Sequence, residues 1–434
     1  MGHPRGSAPS SRVESSGGGS TARGSDPRQV RAICRRTPRG TIPIVTQDPY
    51  SAFQDSIYLS GLLTGETPAY PVDSTALEEA AAAGLDAGAR GYVLGGAGTG
   101  STMRANREAF DRVRIVPRML RDVGARDHSC DVLGTTMPAP VLLAPVGVQS
   151  IVCPEGELAT ARAAAALGVP MVLSTASSHT LEAVAEASGA GPRWFQLYWP
   201  RDADVTISLL ARACAAGYTT LVVTLDTWLL GWRPRDLDQA YLPFLRQIGI
   251  ANYLSDPAFL AGLGKPVAED PVAAIAHWAK MFADPTKTWA DLDFVREHWS
   301  GPIVLKGVLH PDDARRARDA GMDGLVVGNH GGRQLDGAVG ALDALPDVVA
   351  AVGDELAVLF DSGVRTGSDV LKALASGARA VLLGRPYVYG LALGGEAGVR
   401  HVLRCLLAEF DLSMALSGHT RPSGLTPSVL TTGR

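Results

Sequence analysis

A histidine followed by two glycines and an arginine is the part of this sequence best suited to acid–base chemistry. His330 is the candidate proton acceptor, because an imidazole changes its charge near neutral pH. Asp226 is a candidate partner that could orient the imidazole ring and stabilise its protonated form. A lone histidine is more often structural or solvated, so the prediction depends on elements that bring these two residues together.

Two arginines and two tyrosines are candidates for holding an anionic substrate. Arg233 and Arg333 could clamp a carboxylate through paired N–H donors. Tyr198 and Tyr92 could donate hydrogen bonds, although a packed aromatic ring is an equally good interpretation of Tyr92. Lys306 is a further candidate, because an ammonium group can hold a developing negative charge.

Two glycine-containing loops near the C-terminus could bind a phosphate group. They read Asp361-Ser362-Gly363-Val364-Arg365 and Gly384-Arg385-Pro386. Glycines let backbone N–H groups approach an anion closely, and arginine adds a charged donor fork. Turn glycines beside surface arginines are a reasonable alternative for either loop alone, and a weaker one for both together.

A repeated unit of strand and helix, beginning near Pro138, must position these residues. Alanine-rich helical stretches end at glycines, and short β-branched runs follow them. The runs are continuously apolar, which is typical of parallel strands buried on both faces. Eight runs are predicted as strands: Ala139–Val148, Pro170–Ala176, Arg193–Tyr198, Thr219–Asp226, Pro302–Gly307, Gly324–His330, Leu356–Gly363 and Arg379–Pro386.

Eight strand–helix units predict a closed (β/α)8 barrel of the TIM type. A doubly wound open sheet is the alternative, but it normally has fewer strands and an early glycine-rich dinucleotide motif. Catalytic groups of a barrel lie at the C-terminal ends of its strands, where the candidates above fall. The loops after strands seven and eight often bind phosphate, which favours the anion site.

Two segments lie outside the repeat. Residues 1–44 are rich in Gly, Ser, Pro and Arg, which predicts a disordered extension, with a transit peptide as the alternative. Residues 45–434 are predicted as the barrel domain, and residues 45–135 as helices closing one of its ends. The aromatic-rich connection 227–301 is long for a βα link and predicts a folded lid over the active-site end, with a membrane-contact loop as the weaker alternative.

Composition excludes several function classes. The chain of 434 residues has a formal net charge of −4, which gives nucleic-acid binding little support. No apolar run reaches the ~18 residues of a membrane span, and no signal peptide is recognisable, so membrane association is not expected and a cytoplasmic location is predicted. Widely spaced cysteines predict reduced thiols and no metal site: Cys34, Cys130, Cys153, Cys214 and Cys405.

The hexapeptide around His330 resembles the signature of the FMN-dependent 2-hydroxy acid oxidase and dehydrogenase family. The likeness covers roughly residues 75–420, and within the family the sequence is most similar to lactate 2-monooxygenase, along residues 226–237. The motifs that carry the resemblance are Asn329-His330-Gly331-Gly332-Arg333-Gln334, Phe195-Gln196-Leu197-Tyr198, Thr224-Leu225-Asp226-Thr227, Leu305-Lys306-Gly307 and Asp361-Ser362-Gly363-Val364-Arg365.

The resemblance implies FMN as the cofactor and a role for each candidate. His330 would take the α-hydroxyl proton while a hydride passes to the flavin, and Asp226 would stabilise the imidazolium. Tyr92, Arg233 and Arg333 would hold the substrate carboxylate, and Tyr198 the substrate oxygen. The implied cofactor contacts are Val146, Gly147, Ser174, Gln196, Thr224 and Lys306 at the isoalloxazine ring, Asp361 at the ribityl chain, and Gly363, Arg365, Gly384 and Arg385 at the phosphate.

The implied reaction is oxidation of an L-2-hydroxy acid, with O2 reoxidising the flavin. Conversion of lactate to acetate, carbon dioxide and water, as by lactate 2-monooxygenase, is the predicted outcome. An oxidase releasing keto acid and H2O2 and a quinone-linked L-lactate dehydrogenase are alternatives, and a phosphosubstrate isomerase or lyase is a remote one. The family also implies a homo-oligomer, tetrameric or larger.

Two positions depart from the family pattern. Ala176 stands where several relatives have a tryptophan or a leucine, which predicts a pocket for a substrate larger than lactate. Gly328 stands where a serine is usual before the Asn-His pair, which predicts altered flavin contacts or redox tuning.

Overall fold

The computed structural model describes Gly2 and residues 49–282 and 284–432. All of these residues except Gly2 belong to one unit, Arg39–Arg434. The predicted extension over residues 1–44 lies outside the described residues, apart from Gly2. That extension and its boundary with the barrel domain therefore stay predictions.

Eight short parallel strands form a closed barrel. Neighbours along the chain pair with one another, and the last strand pairs with the first, so the predicted (β/α)8 architecture is confirmed. Each observed strand overlaps its predicted run. The strands are β1 Val141–Leu143, β2 Met171–Ser174, β3 Arg193–Leu197, β4 Leu221–Thr224, β5 Ile303–Val308, β6 Gly324–Val327, β7 Ala357–Phe360 and β8 Ala380–Leu383.

Helices surround the barrel and precede it. Several begin at a side-chain cap, as at Thr180, Asp202 and Thr366, which accept hydrogen bonds from first-turn N–H groups. In the described part of the chain, no helix is both long and apolar enough to cross a membrane. The helices are α1 Ala52–Thr64, α2 Ser74–Gly84, α3 Ala87–Leu94, α4 Ser101–Arg112, α5 Gly156–Ala166, α6 Leu181–Ser188, α7 Ala203–Ala215, α8 Pro234–Leu237, α9 Ala251–Leu254, α10 Pro257–Ala261, α11 Pro271–Met281, α12 Leu292–His298, α13 Pro311–Asp319, α14 Ala341–Val352, α15 Gly367–Ala375 and α16 Arg385–Leu416.

The core has two layers because strand side chains point alternately inward and outward. Val172, Trp194, Val222 and Val304 are buried with the inner cluster of the barrel. Alternate residues such as Phe195 pack with the surrounding helices in a larger cluster. Apolar burial on both faces explains why the strands read as continuous apolar runs.

The segment before β1 differs in part from the prediction of helices that close one end of the barrel. Helices α1–α4 form as expected, but Cys130–Val132 and Thr135–Met137 form an antiparallel hairpin. Leu133 and Gly134 both have positive φ, so they form a tight turn that continues no helix. Val132 and Met137 pack into the inner cluster, so the hairpin covers the end of the barrel away from the candidate residues.

The predicted lid, residues 227–301, is a folded insertion between β4 and β5. Among its described residues are helices α8–α12. Phe244, Tyr253, Phe259 and Trp278 are buried together and pack against Ala176, which follows β2. The aromatic residues thus form a small core that fixes the insertion on the C-terminal side of the barrel.

The cysteines depart from the prediction at one position. Cys130, Cys153 and Cys405 are free thiols, as expected. Cys214 is disulfide-bonded, so the expectation of a reduced thiol is wrong there. The physical reason is that folding, not spacing along the sequence, decides which thiols meet. The expectation for Cys34 lies outside the described residues.

Candidate active site

A cleft opens at the C-terminal ends of the barrel strands. Its empty volume is about 1170 Å³, part of it open to solvent. The loops after the strands form one wall, and Leu230, Arg233, Phe244 and Phe282 of the insertion form another. A cleft of this size and mixed lining can hold a cofactor and a small substrate together.

The backbone turn after β6 directs His330 into this cleft. His330 has a φ of 58°, a left-handed conformation that is rare outside glycine and concentrates at functional sites. Gly331 and Gly332 continue with φ of 62° and 74°. A Cβ on Gly332 would lie 2.7 Å from the backbone nitrogen of Met103, so only glycine fits between this turn and helix α4.

A carboxylate orients the imidazole of His330. Its Nδ1 lies 2.8 Å from Oδ1 of Asp226, in the loop after β4. The hydroxyl of Thr227 donates to the same oxygen over 2.9 Å. Because Asp226 engages Nδ1, Nε2 is the ring nitrogen available to a molecule in the cleft.

The surroundings of the pair set its ionisation. Burial lowers the pKa of His330, and Asp226 only partly opposes this, so the ring is neutral near neutral pH. Burial tends to raise the pKa of Asp226, but the charges of His330 and Lys306 outweigh it and hold that pKa at about 2. A neutral imidazole beside a carboxylate can accept a proton and keep the resulting charge.

Arg233 and Arg333 both line the cleft. Nε of Arg233 donates to the carbonyl of Arg333 over 3.0 Å, and its Nη2 donates to Gln334. Nη1 of Arg333 donates to the carbonyls of Tyr92 and Gly95. Burial, and then the charge of Arg233, lower the pKa of Arg333 to about 10. A bound anion would relieve the repulsion between the two guanidinium groups.

Both candidate tyrosines also line the cleft. Tyr198 follows β3, and burial raises the pKa of its hydroxyl, so this group stays protonated and able to donate. Tyr92 lies on α3, and the guanidinium of Arg333 lies 4.6 Å from the centre of its ring. The packed and the cleft-lining interpretations of Tyr92 therefore both hold.

Lys306 forms a buried ion pair beneath the cleft. Its Nζ lies 2.6 Å from Oδ2 of Asp361, and the two side chains are 4% and 8% exposed. Burial tends to lower the pKa of Lys306, but the charges of Asp361 and Asp226 outweigh it and raise that pKa. The hydroxyl of Ser362 donates to the other oxygen of Asp361 over 2.7 Å. Lys306 thus supplies a fixed positive charge.

Three predicted cofactor contacts form a buried row at the ends of β2, β3 and β4. Oγ of Ser174 donates to Oε1 of Gln196 over 3.0 Å, and Nε2 of Gln196 donates to Oγ1 of Thr224 over 2.9 Å. Thr224 pairs in register with Lys306. The described residues that line the cleft include Val146 and Gly147 after β1, but not this row.

The loops after β7 and β8 supply the positive end of the cleft. Gly363 has a φ of 95°, and a Cβ there would lie 2.9 Å from the carbonyl oxygen of Asn106. Gly384 and Arg385 stand at the N-terminus of helix α16, which is interrupted by non-helical backbone at Gly394 and Gly395. Arg365 also lines the cleft. The guanidinium of Arg385 donates to the carbonyls of Val93, Gly331 and Gly95. The helix N-terminus, the glycine backbone and Arg365 suit a phosphate.

The donor set fits FMN. A phosphate group matches the end formed by Arg365 and the N-terminus of α16, and the ribityl hydroxyls match the acceptor Asp361. A flavin ring edge that gains negative charge on reduction matches the buried ammonium of Lys306. The apolar residues Val146 and Val148 line the cleft between them.

A family model described as FMN-dependent dehydrogenase matches residues 81–432. The chain belongs to this family. It is 49% identical over 372 residues to the FMN-dependent alpha-hydroxy acid dehydrogenase qulF of Penicillium citrinum, across 85% of this chain and 92% of that protein. It is 44% identical over 363 residues to an L-lactate oxidase of Lysinibacillus sphaericus, across 84% of this chain and 93% of that protein.

A solved structure of mandelate oxidase with (S)-4-hydroxymandelic acid matches this FMN-dependent dehydrogenase with a TM-score of 0.75 and 42% identity. The match covers 84% of this chain and 99% of that chain. The protein is thus an FMN-dependent oxidoreductase that oxidises 2-hydroxy acids, as the resemblance implied.

Sequence reasoning missed two groups that hold this site of the FMN-dependent dehydrogenase together. Gln334 donates to the carbonyl of Asp226 over 2.8 Å and accepts from Arg233, so it ties the β6 loop to the insertion. Gln334 is the last residue of the hexapeptide around His330, but the sequence predicted no function for it. Asn106 and Asn329 exchange two amide hydrogen bonds of 2.8 Å, and no sequence signal pointed to Asn106 on α4.

The two positions that depart from the family pattern both face the site. Ala176 lines the cleft together with Phe244 and Phe282. A Cβ on Gly328 would overlap Oδ1 of Asp361. A serine at position 328 would therefore require Asp361, the partner of Lys306, to move.

Proposed function

We propose that this enzyme oxidises an L-2-hydroxy acid to the 2-oxo acid and uses O2 to reoxidise its flavin. The observation that carries the proposal is one cleft in which Nε2 of His330 faces the same space as two guanidinium groups. A base and a carboxylate clamp in one cleft match the two ends of a 2-hydroxy acid. The residues that line the cleft can therefore bind both the α-hydroxyl, which reacts, and the neighbouring carboxylate.

Substrate binding is assigned to residues of three elements. Arg233 from the insertion and Arg333 after β6 bind the carboxylate as a bidentate clamp, with Tyr92 beside them. Tyr198 donates a hydrogen bond to the oxygen on Cα, since its hydroxyl stays protonated. These contacts fix the α-hydroxyl toward His330.

Proton transfer is assigned to His330. Its Nε2 takes the α-hydroxyl proton, because Nδ1 is held by Asp226 at 2.8 Å. The carboxylate of Asp226 then stabilises the imidazolium. FMN, when bound, accepts the hydride from the substrate and passes the electrons to O2.

Cofactor binding is assigned to residues along the whole cleft. Lys306 provides the positive charge at the ring, and Asp361 the acceptor for the ribityl hydroxyls. The remaining residues are Val146, Gly147, Ser174, Gln196 and Thr224 for the ring, and Gly363, Arg365, Gly384 and Arg385 for the phosphate.

The outcome predicted for lactate is oxidative decarboxylation to acetate, carbon dioxide and water. This reaction, that of lactate 2-monooxygenase, requires the 2-oxo acid and peroxide to stay together in the cleft. Leu230, Phe244 and Phe282 of the insertion wall the cleft, which supports retention and the lid function of residues 227–301. Aerobic product analysis tests this outcome, since acetate indicates retention, whereas pyruvate with H2O2 indicates release.

The cytoplasmic location and the homo-oligomer of four or more chains also stay predictions.

Anaerobic mixing of the holoenzyme with 2-hydroxy acids tests the proposed function directly. We expect L-enantiomers to bleach the flavin absorbance and the matched D-enantiomers to leave it unchanged. Readmission of O2 should restore the oxidised spectrum through repeated cycles. A flavin that stays oxidised with every member of an aliphatic and aryl panel would contradict the proposal.

Ala176 is predicted to admit aryl substrates. Its side chain lines the cleft beside Phe244 and Phe282, so Ala176→Leu fills space that an aryl group would occupy. We expect kcat/KM for 4-hydroxymandelate to fall about 10- to 100-fold, because pocket fit is worth roughly 1–3 kcal/mol. The kcat/KM for lactate should change by less than about threefold, because lactate has no aryl group to occupy that space.

The matched control for this substitution is Ala190→Leu, at an exposed position. It should leave both kcat/KM values unchanged. Equal losses for lactate and 4-hydroxymandelate in Ala176→Leu would show a general disturbance of the cleft and would refute its role in substrate size.

A further inference from the structure

We propose that Asp236 is a positioning residue for Arg333, holding its guanidinium in the direction that binds the substrate carboxylate. The inference rests on the proposed function, in which Arg333 is part of the carboxylate clamp. Asp236 lies on α8 within the insertion, three residues after Arg233. It is not among the described residues that line the cleft, so it stands behind the clamp.

The carboxylate of Asp236 and the guanidinium of Arg333 form a long, buried ion pair. Oδ2 of Asp236 lies 3.9 Å from Nη2 of Arg333. Nη2 of Arg333 and Oδ1 of Asp236 are both buried without a hydrogen-bond partner in the part of the chain that the structure describes. Buried polar atoms are normally paired, so the opposite charge of Asp236 is the contact that compensates the buried Nη2.

The two terminal nitrogens of Arg333 are held from different sides. Its Nη1 is committed to the carbonyls of Tyr92 and Gly95. Its Nη2 is buried and lies beside the carboxylate of Asp236, so the protein fixes the orientation of the guanidinium through both nitrogens. Asp236 thereby restricts rotation of the guanidinium before the substrate arrives, which lowers the ordering cost of binding.

Charge balance supports the same role. Burial and the charges of Arg233 and Arg385 lower the pKa of Arg333, and Asp236, after Tyr92, acts in the opposite direction and partly opposes them. Burial raises the pKa of Asp236, while the charges of Arg333 and Arg233 oppose that rise. The backbone N–H of Asp236 donates to the carbonyl of Arg233 over 3.1 Å. One turn of the insertion thus carries both Arg233 and the carboxylate that lies beside Arg333.

Asp236→Asn in the FMN-loaded enzyme tests this inference. The Kd of benzoylformate, a non-reacting 2-oxo acid, would be measured from its perturbation of the flavin spectrum, together with KM and kcat for mandelate. We expect Kd and KM to rise about 10-fold and kcat to change less than about twofold, since a charge-assisted contact is lost from binding alone. Unchanged or tighter binding would overturn the inference, because removing a negative charge near an anion site by itself favours the anion.

Two further variants separate positioning from other effects. Asp238→Asn removes the same charge from an exposed neighbour and should leave Kd unchanged. Asp236→Glu retains the charge and should bind within about threefold of the wild type, since the charged contact is kept. A loss in Asp236→Glu as large as that in Asp236→Asn would indicate a merely structural role and would refute the inference.

Arg333→Met distinguishes failure of this inference from failure of the proposed function. If Asp236 acts through Arg333, Asp236→Asn should have no added effect on Kd in the Arg333→Met background. An Arg333→Met enzyme that binds benzoylformate like the wild type would refute the clamp itself. Losses from Asp236→Asn that are equal in both backgrounds would refute only the role of Asp236.

Discussion

His330→Asn should slow anaerobic reduction of the flavin by about 10²- to 10⁴-fold, the range that a positioned general base contributes. The variant removes Nε2, the nitrogen that faces the cleft, and alters none of the residues assigned to FMN binding. Asparagine is the best replacement because it tolerates the left-handed backbone, with φ of 58°, at this position. The rate constant of flavin bleaching by a saturating 2-hydroxy acid is the measurement.

The control for this variant is His310→Asn, whose side chain is 65% exposed and which caps α13. It should reduce the flavin at the wild-type rate. Both variants should retain one FMN per chain, judged by the ratio of flavin to protein absorbance. A His330→Asn enzyme that keeps its FMN and its wild-type bleaching rate would show that another group takes the proton.

The barrel was predictable because its determinants are local in the sequence. Parallel strands buried on both faces must be continuously apolar, and eight such runs alternate with helices that end at glycines. Once the barrel is assumed, the ends of its strands converge, so His330, Asp226 and Lys306 could be assigned to one cleft without coordinates. In the structure, Nδ1 of His330 lies 2.8 Å from Asp226, and all but Asp226 of these three residues line the cleft.

The parts of the site that were not predictable depend on packing between distant segments. Asn106 reaches Asn329 only because α4 lies against the β6 loop, and no periodicity in residues 101–112 indicates that placement. The same holds for Asp236, whose partner Arg333 lies in another loop of the barrel. The hairpin between Cys130 and Met137 was missed because its strands, CDV and TTM, carry no continuous apolar run.

The ion pair of Lys306 and Asp361, two residues that we propose bind FMN, should also contribute to the stability of the protein. Both side chains are nearly inaccessible to solvent, at 4% and 8% exposure, so neither charge is hydrated if its partner is removed. A buried pair adds little stability compared with two apolar residues, but breaking it by removing one partner costs about 3–5 kcal/mol. Asp226 also lies close enough to raise the pKa of Lys306. The ammonium group of Lys306 therefore interacts with the negative charges of both Asp361 and Asp226.

Lys306→Met should therefore lower the free energy of unfolding of the apoprotein by about 3–5 kcal/mol, because Asp361 loses its buried partner. Adding Asp361→Asn should recover most of that loss by neutralising the carboxylate, yet should not restore flavin reduction, since the charge at the ring remains absent. Denaturant unfolding of the apoproteins and FMN titration measure the two effects separately. Lys280→Met, at an exposed position, is the control and should match the wild type. If the double variant is as unstable as Lys306→Met, the lost stability comes from packing of the lysine stem and not from its charge.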